Sequence, residues 1–126
     1  MSDRPNMKLA GIVLDSPDAR DLAGFYHRLL GWPVEQDEPG WVKLSAPDGG
    51  PGLSFQSEPL YVRPRWPSGT SHQQMMLHLD IAVDDLDVAA AHAAASGAEL
   101  AEFQPQDSVR VFIDPAGHPF CLFARS

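Results

Sequence analysis

A chain of 126 residues with 44% hydrophobic and 21% charged side chains is the length of one domain with a core of its own. No apolar run approaches the ~20 residues a membrane span needs. Nine Lys and Arg against seventeen Asp and Glu leave a net charge of −8, which argues against the clustered basic surface that nucleic acid or an anionic membrane requires.

One cysteine, Cys121, leaves nothing for an internal disulfide. The first six residues lack the basic and apolar blocks of a secretion signal. The expected compartment is therefore the cytoplasm, and the expected partner a small molecule or another protein.

From about Met7 to Asp15 the chain alternates as a strand, with Ala10, Ile12 and Leu14 on one side. Ser16 is placed to cap a helix with Pro17 at its first position. Leu22, Phe25, Tyr26, Leu29 and Leu30 recur at helical spacing until Gly31 stops it. A short strand is expected over Trp32 to Gln36, then a turn at Asp37–Gly40. A strand over Trp41 to Ser45 follows, with Trp41 and Lys43 on one face. The turn at Pro47–Pro51 leads into a strand over Leu53 to Gln56, so the order is β-α-β-β-β.

The stretch from Ser57 to Gln74 carries Pro59, Pro64 and Pro67, which exclude a regular helix, with Tyr61 and Trp66 between them. An aromatic loop of this kind lies over a pocket mouth or against a partner subunit.

The second half repeats the first. Leu77, Leu79, Ile81 and Val83 face one way, and His78, Asp80 and Ala82 the other. A helix runs from about Asp85 to Ser96, and strands follow over Glu99 to Phe103, Ser108 to Ile113 and Pro119 to Ala124. Laying Gly11 over His78 puts Asp18 over Asp85 and Phe25 over His92. Laying Gly52 over Gly117 puts Phe55 over Phe120 and Gln56 over Cys121. The reading is one domain over residues 1–126: a first module at about 7–57, a connecting loop at about 58–74 and a second module at about 75–126.

These residues carry a resemblance. Gly11-Ile12-Val13-Leu14-Asp15, Phe25-Tyr26 and Leu29-Leu30-Gly31 resemble the first module of the vicinal oxygen chelate superfamily, the glyoxalase/bleomycin-resistance/dioxygenase proteins. The His78 strand running into Val83-Asp84-Asp85-Leu86 resembles the start of its second module, and Asp114 to Cys121 its last turn and strand. The resemblance implies an α+β fold in which two βαβββ modules form an eight-stranded cup of mixed sheet with helices outside. It also implies four positions for a divalent ion, which here fall on Gly11, Gln56, His78 and Cys121. Gly11 has no donor and Cys121 stands where a glutamate is usual. The ligand set is incomplete, His78 and Gln56 being its acceptable members, and no cofactor is expected.

His78 is the candidate catalytic base, or else a buried histidine kept for structure. Gln56, Asp80, Arg110, Trp41, Trp66 and Cys121 are the candidate ligand-binding residues, with Arg110 a partner for Asp80. Cys121 reads more simply as a small buried hydrophobe than as a nucleophile. His118 reads as an exposed or turn-stabilising side chain, and His27, His72 and His92 have no ligand spacing.

The leading expectation is a glyoxalase-like protein that binds a small, partly aromatic organic molecule in its cup without an essential metal. Two alternatives stand beside it. One is an isomerase or lyase using His78 as base, with Gln56 or Arg110 stabilising an oxyanion and with or without a divalent metal. The other is a non-catalytic homodimer or regulatory partner whose aromatic loop is the interface. Whether any reaction occurs is left open by the sequence.

Overall fold

The computed structural model describes residues 4–125. Residues 1–3, part of the stretch expected to lack a secretion signal, and residue 126 lie outside it. The first module holds β1 (Gly11–Ser16), α1 (Ala19–Leu30), β2 (Val34–Glu38), β3 (Trp41–Leu44) and β4 (Gly52–Ser57). The second holds β5 (Leu79–Val83), α2 (Leu86–Ser96), β6 (Glu99–Leu100), β7 (Val109–Ile113) and β8 (Pro119–Ala124). The fold is α+β, and its eight strands form two four-stranded mixed sheets, ordered β1-β4-β3-β2 and β5-β8-β7-β6.

The module repeat is closer than the sequence overlay implied. In β1 and β4, Ile12 pairs with Leu53, Val13 with Ser54 and Leu14 with Phe55. In β5 and β8, Leu79 pairs with Phe120, Asp80 with Cys121 and Ile81 with Leu122. One offset of 67 residues maps five of the six pairs of the first ladder onto the five of the second, the exception being Gly11–Gly52. Gln56 therefore corresponds to Phe123, and Cys121 to Ser54, two residues from the overlay read in the sequence. Matching Gly52 to Gly117 caused the slip. Gly52 is in strand β4, opposite Gly11, whereas Gly117 is a turn residue at φ +100.

Both helices start at an aspartate. Asp18 caps α1, its carboxylate accepting from the amides of Arg20 and Asp21, and Asp85 caps α2 by accepting from Val88. Ser16 is thus not the cap and Pro17 lies outside the helix. The Ser16 hydroxyl accepts from the Asp18 amide instead, at 3.1 Å. Strand β1 starts at Gly11 rather than Met7, because its ladder partner begins at Gly52. Strand β6 stops at Leu100 rather than Phe103, where the Gln104 side-chain amide bonds both the N–H and the C=O of Val111, each at 2.9 Å, in place of a neighbouring strand.

The core lies between the helices and one face of each sheet, and it is shared by the modules. Phe25 and Tyr26 of α1 are fully buried. The Tyr26 ring stacks on Phe55 of β4 with centroids 5.5 Å apart, and Phe25 meets Phe120 of β8 at 5.9 Å. Helix α2 is mostly alanine and buries Ala93 and Ser96. It is tied to α1 by Arg28 Nε donating to Ser96 O at 3.1 Å and by a His92 to Leu29 O contact at 3.0 Å. The opposite faces of the two sheets lie against the connecting loop, and each carries a cavity.

Candidate functional site

Register decides which side chains share a face. Residues directly opposed across a ladder project from the same side of the sheet, and successive residues alternate. Asp80, Cys121 and Val111 form one row, and Ala82, Phe123 and Val109 the next. His78, two residues before Asp80, has the same parity. These rows face away from the helices and, Ala82 apart, line a cavity of about 580 Å³ together with Trp66, Met75, Pro105 and Gln106. A second cavity, of about 670 Å³, sits over the first module. Val13, Asp15, Trp41 and Gln56 line it together with Tyr61, His118 and the segment from Gln73 to Leu77.

The seven expected site residues therefore divide. His78, Asp80, Trp66 and Cys121 share the 580 Å³ cavity. Gln56 and Trp41, opposed in the β3–β4 ladder, share the other. Arg110 lines neither. It is opposed to Leu122, a core residue, on the helix-facing side, and its guanidinium donates to Asp107 O at 2.6 Å and Val109 O at 3.2 Å. That corrects the expected Arg110–Asp80 pairing: alternation along β7 turns Arg110 away when Val111 faces the cavity. Neither Gln56 nor Arg110 is then placed to stabilise an oxyanion beside His78.

The polar groups of the 580 Å³ cavity cluster. His78 Nε2 lies 3.3 Å from Asp80 Oδ1, with the two side chains 42% and 60% exposed. Burial pushes the Cys121 thiol above its ordinary pKa, and the nearby Asp80 charge and a hydrogen bond to that carboxylate push the same way. A raised thiol pKa works against activation as a nucleophile, while Cys121 is only partly buried and lines the cavity, unlike the buried hydrophobe expected from the sequence. The ring of Trp66, at the cavity wall, stands 5.7 Å from that of Phe103, which lies outside the cavity.

A polar network that the sequence did not reveal joins the modules behind the other cavity. Asp114 is 1% exposed. It accepts from Tyr26 Oη at 2.7 Å, from the amides of Ala116 and His118 at 2.9 and 3.0 Å, and from His118 Nδ1 at 2.8 Å. A carboxylate can only accept, so His118 carries its proton on Nδ1. Its Nε2 lies 3.3 Å from Tyr61 Oη, which donates to Ala116 O at 2.7 Å. His118 is thus a turn-stabilising residue, as expected, but its side chain is only 14% exposed. The Asp114–His118 spacing around Gly117 was the available signal. The connecting loop crosses this turn so closely that a Cβ at Gly117 would sit 2.5 Å from Arg63 Cγ.

Burial, and then the Asp114 charge, push Tyr61 up to about 12, while burial and Asp114 hold Tyr26 well above the usual tyrosine range. An acid whose pKa is raised by folding adds stability that is present below its unfolded value of ~10 and lost as pH rises past it. The urea midpoint is therefore expected to fall between pH ~10 and ~12, and to fall less steeply in Tyr26→Phe. Identical alkaline slopes for the two proteins would refute the assignment.

The model of the glyoxalase-like domain matches residues 11–123. The chain belongs to the glyoxalase-like domain family. No curated protein matches it. Among solved structures, a glyoxalase/bleomycin resistance protein/dioxygenase family enzyme from Burkholderia phytofirmans PsJN is similar at 16% identity and a TM-score of 0.70, over 94% of this chain and 98% of that one. A glyoxalase-related enzyme from Fulvimarina pelagi aligns at 18% identity and 0.67, over 95% and 89%. A lactoylglutathione lyase from Agrobacterium tumefaciens aligns at 15% and 0.63, over 96% of each chain. At these identities the likeness to the solved structures is one of fold.

The four ion positions that the glyoxalase-like resemblance implies do not fit here as a set. Gly11 offers no side chain, and Gln56 lines a different cavity from His78 and Cys121. No helix of the described residues is long and apolar enough to cross a membrane.

Proposed function

We propose that this glyoxalase-like chain binds a small organic molecule in the 580 Å³ cavity over the second module. The observation that carries the reading is the convergence there of an apolar wall with a few polar groups. Val109, Val111, Phe123, Trp66 and Met75 supply the wall, and His78, Asp80 and Cys121 supply the floor. The ligand class follows from this chemistry. An aromatic body suits Trp66, and a basic or hydrogen-bond-donating group suits the Asp80 carboxylate. That Trp66 lines the cavity supports a lid role for the connecting loop over a role as an interface between two copies.

A panel of bicyclic aromatic amines, quinoline and aminoquinolines among them, tests this by amide shift mapping. Shifts are expected at Val109, Val111, Cys121 and Phe123, and Trp66→Ala should weaken binding roughly tenfold. Shifts confined to Val13, Trp41 and Gln56, or none with any amine, would overturn it.

A further inference from the structure

The geometry points to a site for zinc, or a soft divalent cation like it, built by His78, Asp80 and Cys121 alone. This goes beyond organic-ligand binding and does not rest on it. Among the described residues these three form the one group of His, Cys, Asp or Glu side chains whose ligand atoms converge, all lying within 4.8 Å of one another.

The donor set is an imidazole nitrogen, a carboxylate oxygen and a sulfur, each a zinc ligand, and the sulfur selects against magnesium and calcium. Zinc holds N and O donors at about 2.0–2.2 Å and sulfur at about 2.3 Å in tetrahedral geometry, which separates any two donors by roughly 3.3–3.6 Å. His78 Nε2 and Asp80 Oδ1 are already 3.3 Å apart. The thiolate has only to close the remaining gap. The backbone presets this arrangement: Asp80 and Cys121 are ladder partners on parallel strands, and His78 precedes β5 by one residue with the parity of Asp80.

The site keeps His78 and Cys121 of the four positions implied by the resemblance and has Asp80 in place of the two from the first module, Gly11 and Gln56. The counterparts of His78, Asp80 and Cys121 at the 67-residue offset are Gly11, Val13 and Ser54, and none offers an imidazole, carboxylate or thiol. The site therefore belongs to one module, with one ion per chain. Three protein ligands leave the fourth position open to the cavity, the arrangement of sites where a metal takes water or a substrate atom. Bound there, zinc would supply Lewis-acid chemistry at the cavity floor.

The test is a titration of the whole chain, stripped with EDTA and desalted, with Co²⁺ and then Zn²⁺, and with no organic ligand present. The expected result is one equivalent bound, a near-ultraviolet thiolate-to-cobalt charge-transfer band, and displacement of cobalt by zinc. Cys121→Ser should abolish the band, and His78→Ala and Asp80→Asn should each weaken binding at least tenfold. Gln56→Ala should titrate as the parent does. Circular dichroism of each variant separates lost ligation from lost fold. Absence of the thiolate band overturns the proposal. So does an unchanged titration in Asp80→Asn or His78→Ala, and so does equal weakening by Gln56→Ala, which would put the ion between the modules.

Discussion

Replacing Asp114 with alanine is expected to destabilise the protein by about 3–5 kcal/mol, read as a fall in the urea midpoint at unchanged slope. The loss is large because the carboxylate is buried and serves four donors: the Tyr26 hydroxyl, the His118 ring and the amides of Ala116 and His118. Its removal leaves those groups without acceptors where water does not reach them easily. Against a total stability of roughly 5–15 kcal/mol for a domain, that is a substantial fraction. Tyr26→Phe removes one donor and leaves the others, so its cost should be only about 1 kcal/mol. An Asp114→Ala protein within about 1 kcal/mol of the parent would show that the turn rearranges to satisfy its own amides.

The other large effect is expected at Phe120. Its ring is fully buried and lies 5.9 Å from Phe25, 6.2 Å from Tyr26 and 5.9 Å from Phe112. Phe120→Ala removes a side chain that helix α1 of one module and sheet β5–β8 of the other both pack against. The expected cost is about 3–5 kcal/mol, the usual range for a buried aromatic whose cavity cannot collapse. The same truncation at Val88, exposed on α2, should stay within about 0.5 kcal/mol. Because the rings touch, Phe25→Ala and Phe120→Ala should not add, and equilibrium unfolding of the double variant measures the coupling. Strict additivity would mean that the aromatic cluster does not join the modules.

Much of this architecture was legible because each local signal agreed with the next. Alternation through Leu79, Asp80, Ile81 and Ala82 put the correct faces inward, and glycines at 31 and 97 ended both helices in the left-handed conformation at φ 72 and 118. The overlay of Asp18 on Asp85 even contained the right N-cap, although Ser-Pro drew the capping role to Ser16. What local pattern could not give was register between strands far apart in the chain. Two residues of slip put Gln56 over Cys121, and so joined side chains that the ladders send to different cavities. Arg110 is instructive in the opposite way. Its sequence neighbour two along, Phe112, is buried in the core, so the helix-facing side of Arg110 could be read from β7 alone. The Tyr26–Asp114–His118 network spans 88 residues of sequence at its first bond, and no spacing rule reaches that far.

The uniform 67-residue correspondence has a directional consequence. A duplicated scaffold would ordinarily greet a visitor identically from either half, yet here the rows Gly11–Val13–Ser54 and His78–Asp80–Cys121 offer bare glycine, hydrocarbon and hydroxyl on one side, and nitrogen, carboxylate and sulfur on the other. The two halves are consequently not interchangeable: in that row only the later-encoded one turns donor atoms toward its cavity, the lone hydroxyl of the earlier one, Ser54, being buried.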